Sequence, residues 1–294
     1  MAVGPEDDSF ARAWKPPPGE PPLWFVEKFE ERRKEEAQRK VEDPAFVTTL
    51  DKVSQDRDGK GGDNPAVAFI KGMLQVVQLL VVLSLLLLFP AAMHDGGLSA
   101  VARPWTTFAF YLAFFGLGTI ARMVKHGRLV PRSADKQVAS WAGRLAFVAF
   151  VVVVPLLHWA AMYRYVGLSL YTSTLPAGTT LYDVAGGLGM AAATALNALA
   201  SRELGPAYDR VAVPPVLVTS GPYRWMQHPI YASYILLFFS YGMWLHSATA
   251  ACALLLACGL YYRGRTALEG KVLEGAFGTY YRDYVARTKC WLIL

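Results

Sequence analysis

Residues 76–93 read VVQLLVVLSLLLLFPAAM. No charge falls within these eighteen positions, and Gln78 and Ser84 are the only side chains that offer a hydrogen bond. Crossing a hydrocarbon core of about 30 Å takes roughly 20 apolar residues in a helix. A segment of about 70–93 therefore reads as a membrane span, and the chain as a membrane protein.

Five more segments extend the reading to six. One runs about 105–123, from Trp105 to Met123. Another, about 143–163, contains LAFVAFVVVVPLLHWAAM, in which Pro155 is expected to kink the helix rather than end it. A third, about 181–200, is rich in Gly and Ala and suits close helix packing better than lipid exposure. The last two, about 230–245 and 248–262, form a tight hairpin around Leu245-His246-Ser247. The expected fold is all-α, a polytopic bundle of about six transmembrane helices closing on a C-terminal helical hairpin.

Charge divides the 294 residues differently. Residues 1–65 carry 11 Lys+Arg against 15 Asp+Glu, whereas residues 66–294 carry 18 against 8. An acidic leader thus precedes a basic membrane body. Basic loops on a membrane protein point to the cytosolic face and anionic lipid head groups. No nucleic-acid motif accompanies the charge, so nucleic acid is not an expected partner. The leader lacks the basic start and apolar stretch of a targeting peptide. Its KPPPGEPP at 15–22 blocks helix, while 25–41 has the Glu/Lys spacing of a charged helix. It reads as a flexible cytosolic tail, with a docking helix as the alternative.

Between the second and third segments lie Arg122, Lys125, Arg128, Arg132, Lys136 and Arg144, whereas the linkers after the first and third hold only Arg103 and Arg164. The positive-inside rule then places 122–144 and both termini in the cytosol. Residues 201–229 and 263–294 face the same side. The organisation is a tail (1–65), four membrane helices (66–200) and a C-terminal region (201–294) that carries the chemistry. The three cysteines form no C-x-x-C pair, so no metal site or disulfide framework is indicated. Cys290 is followed by four residues, one too many for a C-a-a-X box.

The first chemical stretch is Leu217-Val218-Thr219-Ser220-Gly221-Pro222-Tyr223-Arg224-Trp225-Met226-Gln227-His228-Pro229-Ile230-Tyr231. Pro229 suits a first helical turn, and a helix start exposes backbone donors and a positive dipole end. The second stretch is Arg263-Gly264-Arg265-Thr266-Ala267-Leu268-Glu269, followed by Leu273, Phe277-Gly278, Tyr281 and Tyr284. A helix puts Arg265 and Glu269 on one face. The tyrosines behind them (Tyr280, Tyr281, Tyr284) are placed to fold back as a lid.

These stretches resemble the isoprenylcysteine carboxyl methyltransferase family, whose core motif reads LVTSGxYxxxRHPxY. That family continues after a hairpin with R-x-R-T, a glutamate cluster and L-x-x-x-F-G-x-x-Y-x-x-Y. The resemblance covers about 215–287. Phospholipid N-methyltransferases, nitrite-reduction accessory proteins and sterol reductases share parts of the pattern, and the R-x-R-T-x-x-E run favours the carboxyl methyltransferases.

The resemblance implies a cytosolic S-adenosylmethionine pocket. Its backbone comes from Pro215, Val216, Leu217 and Val218, with Tyr223, His228, Pro229, Ile230 and Tyr231 beside it. Glu269 then holds the cofactor's ammonium or ribose hydroxyls, and Arg265 faces the methyl acceptor as the catalytic and substrate-binding residue. The implied acceptor is the C-terminal carboxylate of a prenylated cysteine, entering from the bilayer in the endoplasmic reticulum. Three departures stand out. Gln227 replaces the family's Arg, Ala232-Ser233 replaces a small residue and Gly, and the glutamate cluster is reduced to Glu269.

Plainer readings stand beside these. His228 is also a capping histidine, Arg265 and Glu269 an i,i+4 ion pair, and Tyr281 and Tyr284 interfacial tyrosines. His158 lies mid-membrane with no partner evident in sequence, while His94, His126 and His246 fall at segment ends and are expected to be solvated. The alternatives in function are a lipid or small-molecule methyltransferase, a nicotinamide-dependent reductase relative, and a scaffold without catalysis.

Overall fold

The computed structural model describes residues 65–126, 141–172, 178–204 and 217–288. The N-terminal tail, its candidate helix at 25–41 and most of the basic 122–144 loop lie outside them. The chain divides into two units, Met1–Lys71 and Gly72–Leu294. Only the opening of a helix, from Pro65, is described in the first.

All six expected segments are helical. Helix α1 (Pro65–Leu83) passes through a π-turn (Ser84–Leu88) into a further turn (Phe89–Ala92). A short α2 (Gly97–Ala100) leads to α3 (Arg103–His126), α4 (Trp141–Tyr171) and α5 (Leu181–Leu204). The hairpin pairs α6 (Pro229–Trp244) with α7 (Ala248–Phe277), and α8 (Thr279–Arg287) follows. No strand ladder forms among the described residues. The protein is an all-α membrane bundle.

Among the described residues, three stretches are long and apolar enough to cross a membrane unaided: Gly72–Ala92, Gly143–Tyr171 and Leu181–Leu204, with mean hydropathies of 2.4, 2.3 and 1.3. Their exposed faces carry Leu74, Val77, Val81, Leu85, Val148, Val152 and Leu156, an apolar surface suited to lipid rather than water. Helix α6 has 16 residues, about 24 Å at 1.5 Å per residue, and so falls short of the core thickness alone. In α7 the apolar part ends near Tyr262.

Two helices outrun their expected ends. Helix α4 continues through Pro155 and beyond Tyr163, where the apolar run suggests an end, as far as Tyr171. The extension holds because Tyr165 and Val166 are buried in the core. Helix α7 runs unbroken from the hairpin turn through the Arg265–Glu269 stretch.

Small residues set the packing of the hairpin against α5. A Cβ on Gly186 would come within 2.5 Å of the Trp244 backbone nitrogen, and one on Gly242 within 2.4 Å of that of Ala251. The buried Asn197 side chain donates to Ser233 Oγ at 3.0 Å, which in turn donates to the Ile230 carbonyl at 2.6 Å. Ser233 thus uses its hydroxyl to tie α5 to α6.

The mid-membrane His158 is wholly buried and fully paired. Its Nδ1 lies 2.8 Å from the Val154 carbonyl, so that nitrogen carries the proton and Nε2 accepts from the Tyr111 hydroxyl at 2.7 Å. The Tyr241 hydroxyl donates to the His158 carbonyl at 2.7 Å. His158 is a core residue joining α3, α4 and α6. His246 also departs from expectation: it is turned inward, with Nε2 2.8 Å from Asp183 Oδ1. His94 bonds the Tyr163 carbonyl through Nε2 at 2.9 Å and packs on that ring, so it is not simply solvated.

Candidate active site

The approach to α6 is shaped by three residues whose backbone preferences are strong. Gly221 has φ +56, and a Cβ there would meet Glu203 Cγ at 2.5 Å. The neighbouring Ser220 hydroxyl donates to Glu203 Oε2 at 2.7 Å, pinning the loop to the end of α5. Pro222 then sits in the first turn of a 3-10 helix (Gly221–Arg224), and Pro229 opens α6 with His228 as its N-cap residue. This proline spacing leaves Met226, Gln227 and His228 as a short link between two helical starts.

His228, Tyr231 and Glu269 come together. The buried His228 ring lies 5.7 Å from Tyr231, nearly parallel, and its Nδ1 is 3.8 Å from Glu269 Oε2. Burial pushes the His228 imidazole down to about 4. The ring is therefore neutral near pH 7, and its approach to Glu269 is a polar contact rather than an ion pair. The Glu269 side chain keeps 38% of its surface exposed, while its Oε2, the atom that faces His228, is buried. Tyr231 stacks on Tyr262 of α7 at 4.9 Å and 22°. Tyr262 reaches Phe150 of α4 in turn, at 5.6 Å. Tyr262 is not among the expected site residues, yet it stands two helical turns before Glu269 and shares its face of α7. That periodicity is the signal in the sequence that could have found it.

The other expected residues are distributed around this contact. Pro229 and Ile230 are buried in the first turn of α6, and Val218 packs partly buried against the main core. Arg265 is half-buried on α7, one turn before Glu269. Between them Thr266 is buried, its hydroxyl donating to the Tyr262 carbonyl at 2.8 Å. Pro215 and Val216 lie outside the described residues.

The C-terminal tyrosines fold back over the motif. Gly278, at φ +54, ends α7 and turns the chain into α8. Tyr281 and Tyr284 then form a small apolar cluster with Leu217, supported by Leu273, Phe277, Tyr280 and Val285. The Tyr284 hydroxyl donates to the Tyr223 carbonyl at 2.9 Å. Burial raises the Tyr284 phenol, and burial with the Glu269 and Glu274 carboxylates raises that of Tyr281, so both stay protonated. Gln227 bonds across the same gap, its Nε2 donating to the Thr288 carbonyl at 2.8 Å. Arg282 and Glu274 make only an exposed ion pair at 3.4 Å, which contributes little.

Residues 182–280 match the family model described as phospholipid methyltransferase. No curated protein matches the chain. The matched stretch is about a third of the sequence. It begins in the first turn of α5 and ends in the first turn of α8, taking in the motif link, the hairpin, Arg265 and Glu269. This part of the chain is therefore similar to a membrane methyltransferase. The Asp183 and Tyr262 positions fall within it, whereas α1 to α4 do not.

The donor set suits the cofactor of such enzymes. A half-exposed carboxylate (Glu269) suits an ammonium or sugar hydroxyls, and the buried, stacked rings of Tyr231 and Tyr262 back it with apolar aromatic surroundings. An S-adenosylmethionine has both kinds of group.

Proposed function

We propose that this protein is an S-adenosylmethionine-dependent membrane methyltransferase whose acceptor is the C-terminal carboxylate of prenylated cysteine. The observation that carries the reading is the approach of His228 to Glu269, 3.8 Å apart. It joins the two halves of the motif across the hairpin, as one pocket requires.

The cofactor, when bound, supplies a methyl group already activated on a sulfonium. The chain's own residues then have to align, shield and hold charge. Glu269 binds the donor's polar end, and Tyr231 with Tyr262 walls the pocket. Arg265 orients the acceptor carboxylate through charge-assisted hydrogen bonds. That carboxylate, with an ordinary pKa of about 3.5, is ionised without a general base. Helix α8, seated over Leu217 and Tyr223, excludes water. The positive loop at 122–144 argues for a cytosolic position of this end of the bundle and of both termini, and the family resemblance suggests the endoplasmic reticulum.

A lipid methyltransferase is the second reading, favoured by the family model that matches. It needs a group that takes a proton from an ammonium acceptor. His228, held down to about 4, is too weak a base for that task. Incubating the purified protein with labelled cofactor and either a farnesylcysteine analogue or phosphatidylethanolamine separates the two. Label on the prenylcysteine is the expected result, and label on the lipid amine alone would favour the second.

A further inference from the structure

Gln227 stands where the resembled family carries Arg, and the geometry shows what its side chain does. Helix α8 ends at Thr288, whose backbone has left the helix at φ −97 and ψ 83. Carbonyls at such an end have no partner within their own helix. The Thr288 carbonyl receives the Gln227 amide at 2.8 Å, and Thr288 itself is buried. The converse holds on the other side of the gap. The 3-10 turn at Gly221–Arg224 and the link after it present the carbonyls of Tyr223 and Met226, and the Tyr284 hydroxyl lies 2.9 and 3.4 Å from them. Each segment thus supplies the side chain that caps the other.

We propose that Gln227 and Tyr284 are a reciprocal pair of positioning residues. They hold α8 across the link and thereby keep His228, the residue after Gln227, in register with Glu269. The two bonds differ in direction along the chain but share one requirement, a hydrogen-bond donor. Gln227 meets it through its amide N–H, not through charge, so an arginine at this position would serve as well and a glutamate would not. The consequence for the pocket rests on the methyltransferase reading, whereas the capping itself does not.

The test uses the full-length protein in detergent. Amide hydrogen exchange over 279–288 and 226–232 is measured for the wild type and for Gln227→Ala, Gln227→Glu, Gln227→Arg and Tyr284→Phe. Losing one part-buried hydrogen bond should speed exchange in both segments about 3- to 10-fold. Gln227→Ala, Gln227→Glu and Tyr284→Phe should all show it, with exchange in α5 and the α6–α7 turn unchanged. Gln227→Arg should stay close to the wild type. Equal exchange in all five proteins, or a wild-type pattern in Gln227→Glu, would overturn the proposal.

Binding of S-adenosylhomocysteine to the same set is the second arm, expected to weaken several-fold in the three donor-less variants and to recover in Gln227→Arg. Exchange that follows the donor rule while affinity stays constant would overturn the positioning role. A wild type that binds no cofactor, with exchange still following the donor rule, would overturn the methyltransferase reading and leave the capping pair standing.

Discussion

The two ends of the helical bundle are built from opposite kinds of contact. At the end carrying the turns before α3, before α5 and between α6 and α7, a charged network closes the structure. The Arg103 guanidinium bonds Asp183 and the Trp244 carbonyl. It also lies over the Tyr165 and Trp244 rings at 5.2 and 4.6 Å. Asp183 receives in addition His246 at 2.8 Å, and the Thr180 amide and hydroxyl at 2.6 and 2.8 Å. One carboxylate thus ties together three connections. At the other end no single carboxylate gathers the described contacts: Ser220 bonds Glu203, Gln227 bonds the Thr288 carbonyl, Tyr284 bonds the Tyr223 carbonyl, and Glu269 is left partly exposed. Ligand-binding parts come from the less stable regions of a protein, because they have to open. The hairpin can be held at its turn and left adaptable at the motif.

The largest effect should come from removing the common carboxylate. Asp183→Ala leaves the largely buried Arg103 and His246 without their shared carboxylate, a loss of up to about 3–5 kcal/mol, the cost when a buried pair loses one member. Thermal unfolding in detergent should show a large drop. A change below about 1 kcal/mol would mean the network is no more than a surface ion pair. Tyr111→Phe should come next, since it strips the donor from His158 Nε2. The cost of a buried unsatisfied acceptor is about 1–3 kcal/mol. Cofactor affinity should hold steady while stability falls, and the reverse would return His158 to the candidate functional residues.

Acid should separate the ends in another way. His228 has a folded pKa near 4, below the ordinary 6.5 of histidine. Its neutral burial costs nothing above about pH 6.5. As pH falls from there toward 4 the unfolded state takes up the proton first, so stability declines across that window. His228→Gln should flatten this part of a stability–pH curve. A curve with the same slope in both proteins would show that His228 does not set it. The smallest effect is expected from deleting residues 1–60, which lie outside the matched stretch. Methyl transfer should stay within a few-fold, and total loss in a truncated protein that still inserts would contradict this.

Much of this contrast was legible in the sequence. Apolar runs and the prolines at 155 and 229 marked the helices, and the hairpin turn fell at Leu245–Ser247 as its residues suggested. The return of the tyrosine tail over the motif was also expected from its run of Tyr280, Tyr281 and Tyr284, whereas the turn at Gly278 that delivers it was not singled out. What escaped were partners distant in sequence. His158 finds Tyr111 across 47 residues, and His246 finds Asp183 across 63. Local periodicity carries no information about such pairs, since the helices that bring them together are fixed by packing. Gln227 was readable only as a lost charge, and its partner lies 61 residues away.

On the proposed function, the motif end holds a methyl donor through Glu269 and a methyl acceptor through Arg265. Titrating S-adenosylhomocysteine into the wild type, Glu269→Ala and Arg265→Ala tests it most directly. Saturable binding is expected for the wild type. Glu269→Ala should weaken it by on the order of 30- to 1,000-fold, or about 2–4 kcal/mol, while Arg265→Ala should leave it within about threefold. Acceptor turnover should then collapse in Arg265→Ala. No saturable binding to the wild type, or equal and small losses in the two variants, would contradict the account and leave Arg265 and Glu269 as a structural pair on α7.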